Sequence, residues 1–393
     1  MEMDDPRNEY QEFLSAIEDN ASGGSFTNAL IHLQYKYRVE ILLDFSLVSP
    51  TRVYTSTSAD AMSRKILITG ATGKQGRALI SSLHDSDFQL LALTRNPSSP
   101  SADSLKAHPH VELIQGDLDK PETIRKVFED AGGKASIWGV FAVLAFPGMR
   151  VNPSGEERQG ILLAELALEY QVGHFVYSSV DRSANSDDEG LILDRGVKVN
   201  IEKHVKSLGE KGLNWTILRP AACFMENFDG FAGRITYTLL RCVLKPDVKV
   251  QLMATNDIGC LAAEVFKNPQ AATHKVLVVT SDILTPSEMD AAHIRATGQH
   301  MPCIPDFLGR LLLAIGSSLK EPMQDMERMH QRRLEDPNGY DAHLAEAKAL
   351  LPDMTSFEEW MKQRTNANSS SSLSMWIWKL LTGRPPSESE MVR

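Results

Sequence analysis

Lys65-Ile66-Leu67-Ile68-Thr69-Gly70-Ala71-Thr72-Gly73-Lys74-Gln75-Gly76 is the stretch on which the reading of this chain turns. An apolar run passes without a gap into glycines at 70, 73 and 76, and an amphipathic helical pattern, Lys74–His84, opens inside the same run. A GxxGxxG spacing alone says little. Between a strand and a helix it has a physical meaning. Gly70 permits a tight turn, Gly73 lets the backbone approach a pyrophosphate, and Gly76 allows the helix to pack closely on the strand. Ala71, Thr72, Lys74 and Gln75 complete the turn, and the free N–H groups of the helix start favour an anion. A tight turn with no ligand is the plain alternative.

Working outward, strand-like runs follow at Phe88–Thr94, Val111–Gln115, Ile137–Ala145, His174–Ser178 and Trp215–Leu218. Helical patterns fall between most of them, at Pro121–Ala131, Glu156–Gln171 and Lys198–Gly209, with a short Pro-flanked one near Asp103–Ala107. Short apolar runs alternating with amphipathic helices predict βαβ units and an α/β fold, a doubly wound parallel sheet of Rossmann type. Beyond Pro220 the pattern changes. Strands are expected at Val248–Met253 and Lys275–Thr280 and a helix at Asn256–Lys267. Thr285-Pro286-Ser287-Glu288 reads as a capping box and Gly298 as the helix stop. Residues 306–360 read as helices with Met-rich faces. The expected division is an extension over 1–61, a dinucleotide-binding domain over 62–220, a smaller C-terminal α/β substrate-side subdomain over 221–362, and a tail over 363–393.

The totals set bounds. Of 393 residues, 41 are Lys or Arg and 51 Asp or Glu, giving a net charge of −10, which argues against a nucleic-acid surface held by counterion release. Hydrophobic residues at 42% and charged ones at 23% are those of a globular chain rather than a disordered one. Cys223, Cys242, Cys260 and Cys303 lie far apart, with no CxxC and no Cys/His cluster at metal-ligand spacing, so neither a metal site nor a disulfide framework is expected. No apolar run approaches the ~18 residues of a membrane span. The acidic opening Met1-Glu2-Met3-Asp4-Asp5 does not suit a signal or transit peptide, so a reduced, cytoplasmic protein is expected. Met62 reads as the natural start of the folded part, with an N-terminal helix packed on the domain as the alternative. The tail carries a Ser run and then Met375-Trp376-Ile377-Trp378, a short sticky patch that can dock on the body, touch a membrane surface or stay disordered.

Cofactor choice rests on the end of the second strand. A NAD site carries Asp or Glu there for the ribose 2′-hydroxyl. This chain reads Leu93-Thr94-Arg95-Asn96, and a guanidinium suits a 2′-phosphate, so NADP(H) is expected. Asp117-Leu118, after the third strand, either meets the adenine edge or caps the next helix; both readings stay open.

Ile68-Thr69-Gly70-Ala71-Thr72-Gly73, Thr94-Arg95-Asn96-Pro97, Gln115-Gly116-Asp117-Leu118, Phe175-Val176-Tyr177-Ser178-Ser179, Lys198-Val199-Asn200-Ile201-Glu202 and Arg219-Pro220 through Phe224-Met225-Glu226-Asn227-Phe228 together resemble the NmrA-like family, an atypical branch of the short-chain dehydrogenase/reductases. The resemblance covers about residues 64–360. It implies pyrophosphate at Gly70–Gly76, 2′-phosphate at Arg95, adenine near Asp117, and a nicotinamide side lined by Leu144, Ala145, Phe146, Lys198, Phe224, Met225, Glu226 and Asn227.

That superfamily's reductases commonly use a Ser with Tyr-x-x-x-Lys. Here Lys198 fits the lysine position, but Asp194 stands where the Tyr would be, and an ionised Asp is no proton donor at neutral pH. Ser178 or Ser179 remains able to hold a carbonyl. Lys198 can bond a ribose, act as acid or base if burial lowers its pKa, or sit on a helix surface with Glu202 as its i,i+4 partner. Tyr177 reads as packing. Two functions follow. One is an NADP(H)-dependent oxidoreductase acting on a small apolar metabolite, as the resemblance to secondary-metabolism enzymes implies. The other is a catalytically silent NADP(H) sensor that binds a transcription factor, as the regulators of the family do.

Overall fold

A computed structural model of the chain describes residues 64–145, 153–182, 194–315 and 320–364. The expected extension over 1–61 and almost all of the tail over 363–393 lie outside them. The large sheet has seven parallel strands: β1 (Lys65–Ile68), β2 (Gln89–Thr94), β3 (Val111–Gln115), β4 (Ile137–Ala142), β5 (His174–Ser178), β6 (Trp215–Pro220) and, after a small pair, β9 (Lys275–Val279). Their order is β3-β2-β1-β4-β5-β6-β9, which is the doubly wound arrangement. The strand order reverses between β1 and β4, so the crevice for a ligand opens there, above the carboxyl ends of the strands.

The near-continuous apolar strands are explained by burial on both faces. Ile66 and Ile68 of β1, Leu90 and Ala92 of β2, and Phe141 of β4 pack under α1 (Lys74–Ser82) and α7 (Thr255–Lys267). Leu67, Leu91, Leu93 and Val140, one step out of phase, pack under α3 (Pro121–Asp130), α4 (Ser154–Glu169) and α5 (Asp194–Gly209). The weak helix after β2 is a short α2 (Pro100–Asp103) continued as a 3-10 turn, Ser104–Ala107. The fourth strand stops at Ala142 rather than Ala145, because Thr69 takes over the next backbone groups: its hydroxyl accepts from Val143 N–H and donates to Val143 O, both at 2.8 Å.

The part after Pro220 departs from the expected division. Its α7 lies on α1 so closely that a Cβ on Gly259 would stand 2.3 Å from the Ala78 carbonyl carbon. Its β9 pairs with β6 in the large sheet. Two of its elements therefore complete the dinucleotide-type layer, and the division expected at 220 is crossed by the chain rather than kept. What remains apart is a three-stranded sheet, β10-β8-β7, made of β7 (Cys223–Phe224), β8 (Val250–Met253) and β10 (Asp282–Leu284). It shares a core with α6 (Gly230–Val243), α8 (Pro286–Thr297) and α9 (Asp306–Ile315). Helix α8 has the full capping box at Thr285 and Glu288 and ends on Gly298 in the left-handed region, φ 78°. Helices α10 (Lys320–Glu335) and α11 (Pro337–Leu350) follow.

Candidate functional site

The glycine turn is made by backbone. Gly70 adopts φ +60°, and a Cβ there would stand 3.0 Å from the Val143 carbonyl, which the Thr69 hydroxyl pins in place. Gly73 N–H closes the turn on Gly70 O at 2.9 Å. A Cβ on Gly76 would fall 2.4 Å from Gly70 O and 2.6 Å from Ala71 Cα. Gly76 thus serves contact of helix with its own turn, where helix-on-strand contact was expected. Above Gly73 the space is open, since a Cβ would meet only Gly70 O, at 3.2 Å. Helix α1 starts at Gly73 with no side-chain cap, leaving its amino end to an outside acceptor. Ala71 is buried, while Gly73 and Lys74 are exposed and Thr72 and Gln75 half-buried.

Around this turn the expected residues divide. Arg95 is exposed at the end of β2, and its guanidinium enters no ion pair among the described residues. The side-chain Oδ1 of Asn96 accepts from Ser98 N–H at 3.0 Å, so Asn96 shapes the loop after β2. Arg77, which the sequence reading passed over, braces that loop from α1: Nε donates to Thr72 O at 3.0 Å, Nη1 to Ser104 Oγ at 2.9 Å, and Nη2 to Ser101 O. Burial lowers its pKa from the ordinary arginine value. Asp117 does not cap the next helix. The N-cap is Lys120, and the Asp117 carboxylate accepts from Asp119 N–H at 3.2 Å inside its own loop. That loop brings Asp117 and Leu118, both half-buried, to the carboxyl end of β3.

On the other side of the switch point, Leu144 is buried and Ala145 exposed, and Phe146 lies outside the described residues. Ser178 donates to Gln75 Oε1 at 2.6 Å, tying β5 to the first turn of α1. Ser179 donates to Glu202. Both serines are therefore engaged by the protein itself. Glu202 is not the partner of Lys198 but the centre of a buried ionic cluster. It receives Arg182 Nη1 at 2.8 Å and Nη2 at 2.9 Å, and Arg219 Nη2 at 2.6 Å. Burial pushes the Glu202 carboxyl up, but the two guanidinium groups outweigh it and hold the pKa at about 2. Two neighbouring arginines won the carboxylate over a lysine one turn away, since a guanidinium fork matches it in a dry setting.

Lys198 pairs instead with Glu156, from the first turn of α4; the two side chains are 13% and 1% exposed. The surface-lysine reading is thereby replaced by a half-sealed ion pair where α4 and α5 leave the carboxyl edge of the sheet. Tyr177 is wholly buried beneath it. Burial, with the charges of Glu156 and Glu202, drives its phenol pKa well above the ordinary value, so it stays protonated. Of Phe224–Asn227, Met225 has no exposed surface and belongs to the core of the small sheet. Glu226 accepts from Thr255 N–H at 3.0 Å and so caps α7. Phe224 and Asn227 keep partial exposure. Neither Glu156 nor Arg77 carries a local signal: Glu156 is 42 positions from its lysine, and Arg77 sits just past the last glycine as an ordinary helix residue.

The family model of the NmrA-like family matches residues 62–361. The chain belongs to the NmrA-like family. Among curated proteins it is 29% identical over 258 residues to an NmrA-like family domain-containing oxidoreductase, hkm9, of Aspergillus hancockii, covering 61% of this chain and 74% of that one. It is 24% identical over 303 residues to the nitrogen metabolite repression protein nmr of Neurospora crassa, covering 70% of this chain and 61% of that one. Among solved structures it is similar to NmrA, a negative transcriptional regulator in complex with NADP, with a TM-score of 0.57, 19% identity, and coverage of 79% of this chain and 98% of that one. The NmrA-like relatives thus include both an oxidoreductase and a regulator by name. No helix among the described residues is long and apolar enough to cross a membrane.

Proposed function

We propose that this NmrA-like protein binds NADP(H) along the carboxyl edge of the large sheet and works as an oxidoreductase on a small apolar metabolite, in secondary metabolite biosynthesis. The observation that carries the reading is the uncapped start of α1 beside the open Gly73 turn, with the exposed Arg95 at the end of the next strand. The turn suits a pyrophosphate, Arg95 a 2′-phosphate, and the loop of Asp117 and Leu118 an adenine. Leu144, Ala145, Phe224 and Asn227 furnish the nicotinamide side, with Phe146 kept from the sequence reading.

NADPH, when bound, supplies the hydride. The chain supplies orientation and charge. Lys198, held by Glu156, offers an ammonium at the edge of the crevice, where it donates to a ribose hydroxyl or to a substrate oxygen. The Gln75–Ser178 bond fixes the first turn of α1 against β5, so the cradle and the reacting side keep one geometry.

A second reading is a catalytically silent NADP(H) sensor that binds a transcription factor. Asp194 in the tyrosine position, and two serines both engaged by protein groups, favour it. The test is NADPH consumption by the purified protein given a small-molecule extract of the cells that make it. Turnover that Lys198→Ala abolishes supports the oxidoreductase. Tight NADP(H) binding with no turnover in any fraction contradicts it and supports the sensor.

A further inference from the structure

Helix α9 is apolar on two sides. Its inner side is ordinary: Leu312 and Leu313 are buried in the core of the small sheet, and Gly309 lies against Thr238 of α6, where a Cβ would come within 2.8 Å of Thr238 Cγ2. Its outer side carries Phe307, 67% exposed, and Leu311, 52% exposed, one helical turn apart. These are two of the four exposed large apolar side chains among the described residues. Two such groups stacked on one helix face form a patch of the kind that a partner segment covers.

The chain itself holds a matching segment. Beyond Arg364 it runs through the polar stretch Thr365–Ser372 and then reads Leu373-Ser374-Met375-Trp376-Ile377-Trp378-Lys379-Leu380-Leu381. Its point of departure is close to the patch. Arg364 is tied to Asp229 at 3.0 Å, at the amino end of α6, and its guanidinium lies 4.2 Å over the Trp360 ring. Helix α9 is fastened further along α6, through Thr238 and through Arg241, whose Nη2 meets Asp306 at 3.2 Å. From Asp229 to Thr238 is about 14 Å of helix. The residues between Arg364 and Met375 span up to ~35 Å when extended. The segment therefore reaches the patch with slack, and holding it within the same chain raises its effective concentration there to the millimolar range.

We propose that Met375–Leu381 docks on the Phe307–Leu311 face of α9 in the same molecule, with Trp376 and Trp378 as its anchors. The proposal is independent of the cofactor reading. The test uses the full chain and follows tryptic cleavage after Lys379 by mass spectrometry. Cleavage of a docked segment tracks the population of its open form. The double variant Phe307→Ser with Leu311→Ser, and separately Trp376→Ser with Trp378→Ser, are each expected to speed it about tenfold or more. Tryptophan emission is expected to shift to the red in the α9 variant. Equal cleavage rates in the native chain and both variants would overturn the proposal. Protection that fades on dilution, with a two-chain mass by light scattering, would assign the segment to a second copy and overturn it too. So would protection that arises only on adding anionic vesicles.

Discussion

The glycine turn at the end of β1 and the ionic cluster at the ends of β5 and β6 occupy the same edge of one sheet and are made of opposite materials. The turn is almost all backbone: glycines placed where a Cβ would strike Gly70 O, Ala71 Cα or Val143 O, and a helix start without a cap. The cluster is almost all side chain: Ser179, Arg182, Glu202 and Arg219, with Arg182 and Glu202 nearly sealed from solvent. An open backbone cradle leaves the N–H groups of the helix start without a side-chain cap, as the proposed pyrophosphate site requires. A closed knot of charges has no such opening, and what it does is hold α5 to the ends of β5 and β6.

Breaking the cluster is therefore expected to cost fold, and breaking the turn to cost binding. The largest effect is expected for Glu202→Gln, which leaves two guanidinium groups without their carboxylate in a dry setting. Removing one partner of a buried pair costs about 3–5 kcal/mol, to be read as a lower urea midpoint at unchanged m-value. Gly76→Ala comes next. Its Cβ must displace the turn it rests on, an overpacking cost of about 1–3 kcal/mol, and NADPH affinity is expected to fall with it in a fluorescence titration. Gly155→Ala sharpens the point. Helix α4 offers its Cβ only Arg158 Nη2 at 3.8 Å, so stability is expected to hold or to rise by up to about 1 kcal/mol in the same unfolding assay.

A further effect is expected on pH dependence. Burial, reinforced by the charge of His274, lowers the His174 pKa to about 4, and the arginines hold Glu202 at about 2 despite burial. Unfolded, the two groups titrate near ~6.5 and ~4.3. In both cases the unfolded chain binds more protons, so stability rises with pH. The contribution of His174 is full above its unfolded pKa and is lost as pH falls toward its folded one. That of Glu202 is lost lower, as pH falls through its folded pKa. Thermal midpoints across the acid range are expected to fall in two stages, and His174→Asn is expected to flatten the upper one.

The same contrast explains what could be read from the sequence. The strands, the glycine turn and the place of Arg95 at the end of β2 are legible because each is local: an apolar run, a fixed spacing, one residue at a strand end. Even the capping box at Thr285 declares itself within a few residues. Several of the assignments that changed depend on partners far along the chain. The surface alternative for Lys198 pairs it with Glu202, four residues on, whereas folding delivers Glu156 to the lysine and two arginines to Glu202. Likewise Lys275–Val279 looked like part of the smaller unit because it follows β8 in sequence, yet its pairing with β6 is a long-range choice. Met225, read as lining a pocket, proves to be core, since apolar residues serve both uses equally well.

We propose that the Gly70–Gly76 turn and Arg95 together select NADP(H). The direct measurement is a calorimetric titration of the native chain and Arg95→Ala with NADPH and with NADH. The native chain is expected to prefer NADPH, and the substitution to weaken NADPH by about 1.5–3 kcal/mol, the worth of a charge-assisted contact, while leaving NADH nearly unchanged. Equal loss for both cofactors, or no preference in the native chain, would contradict it.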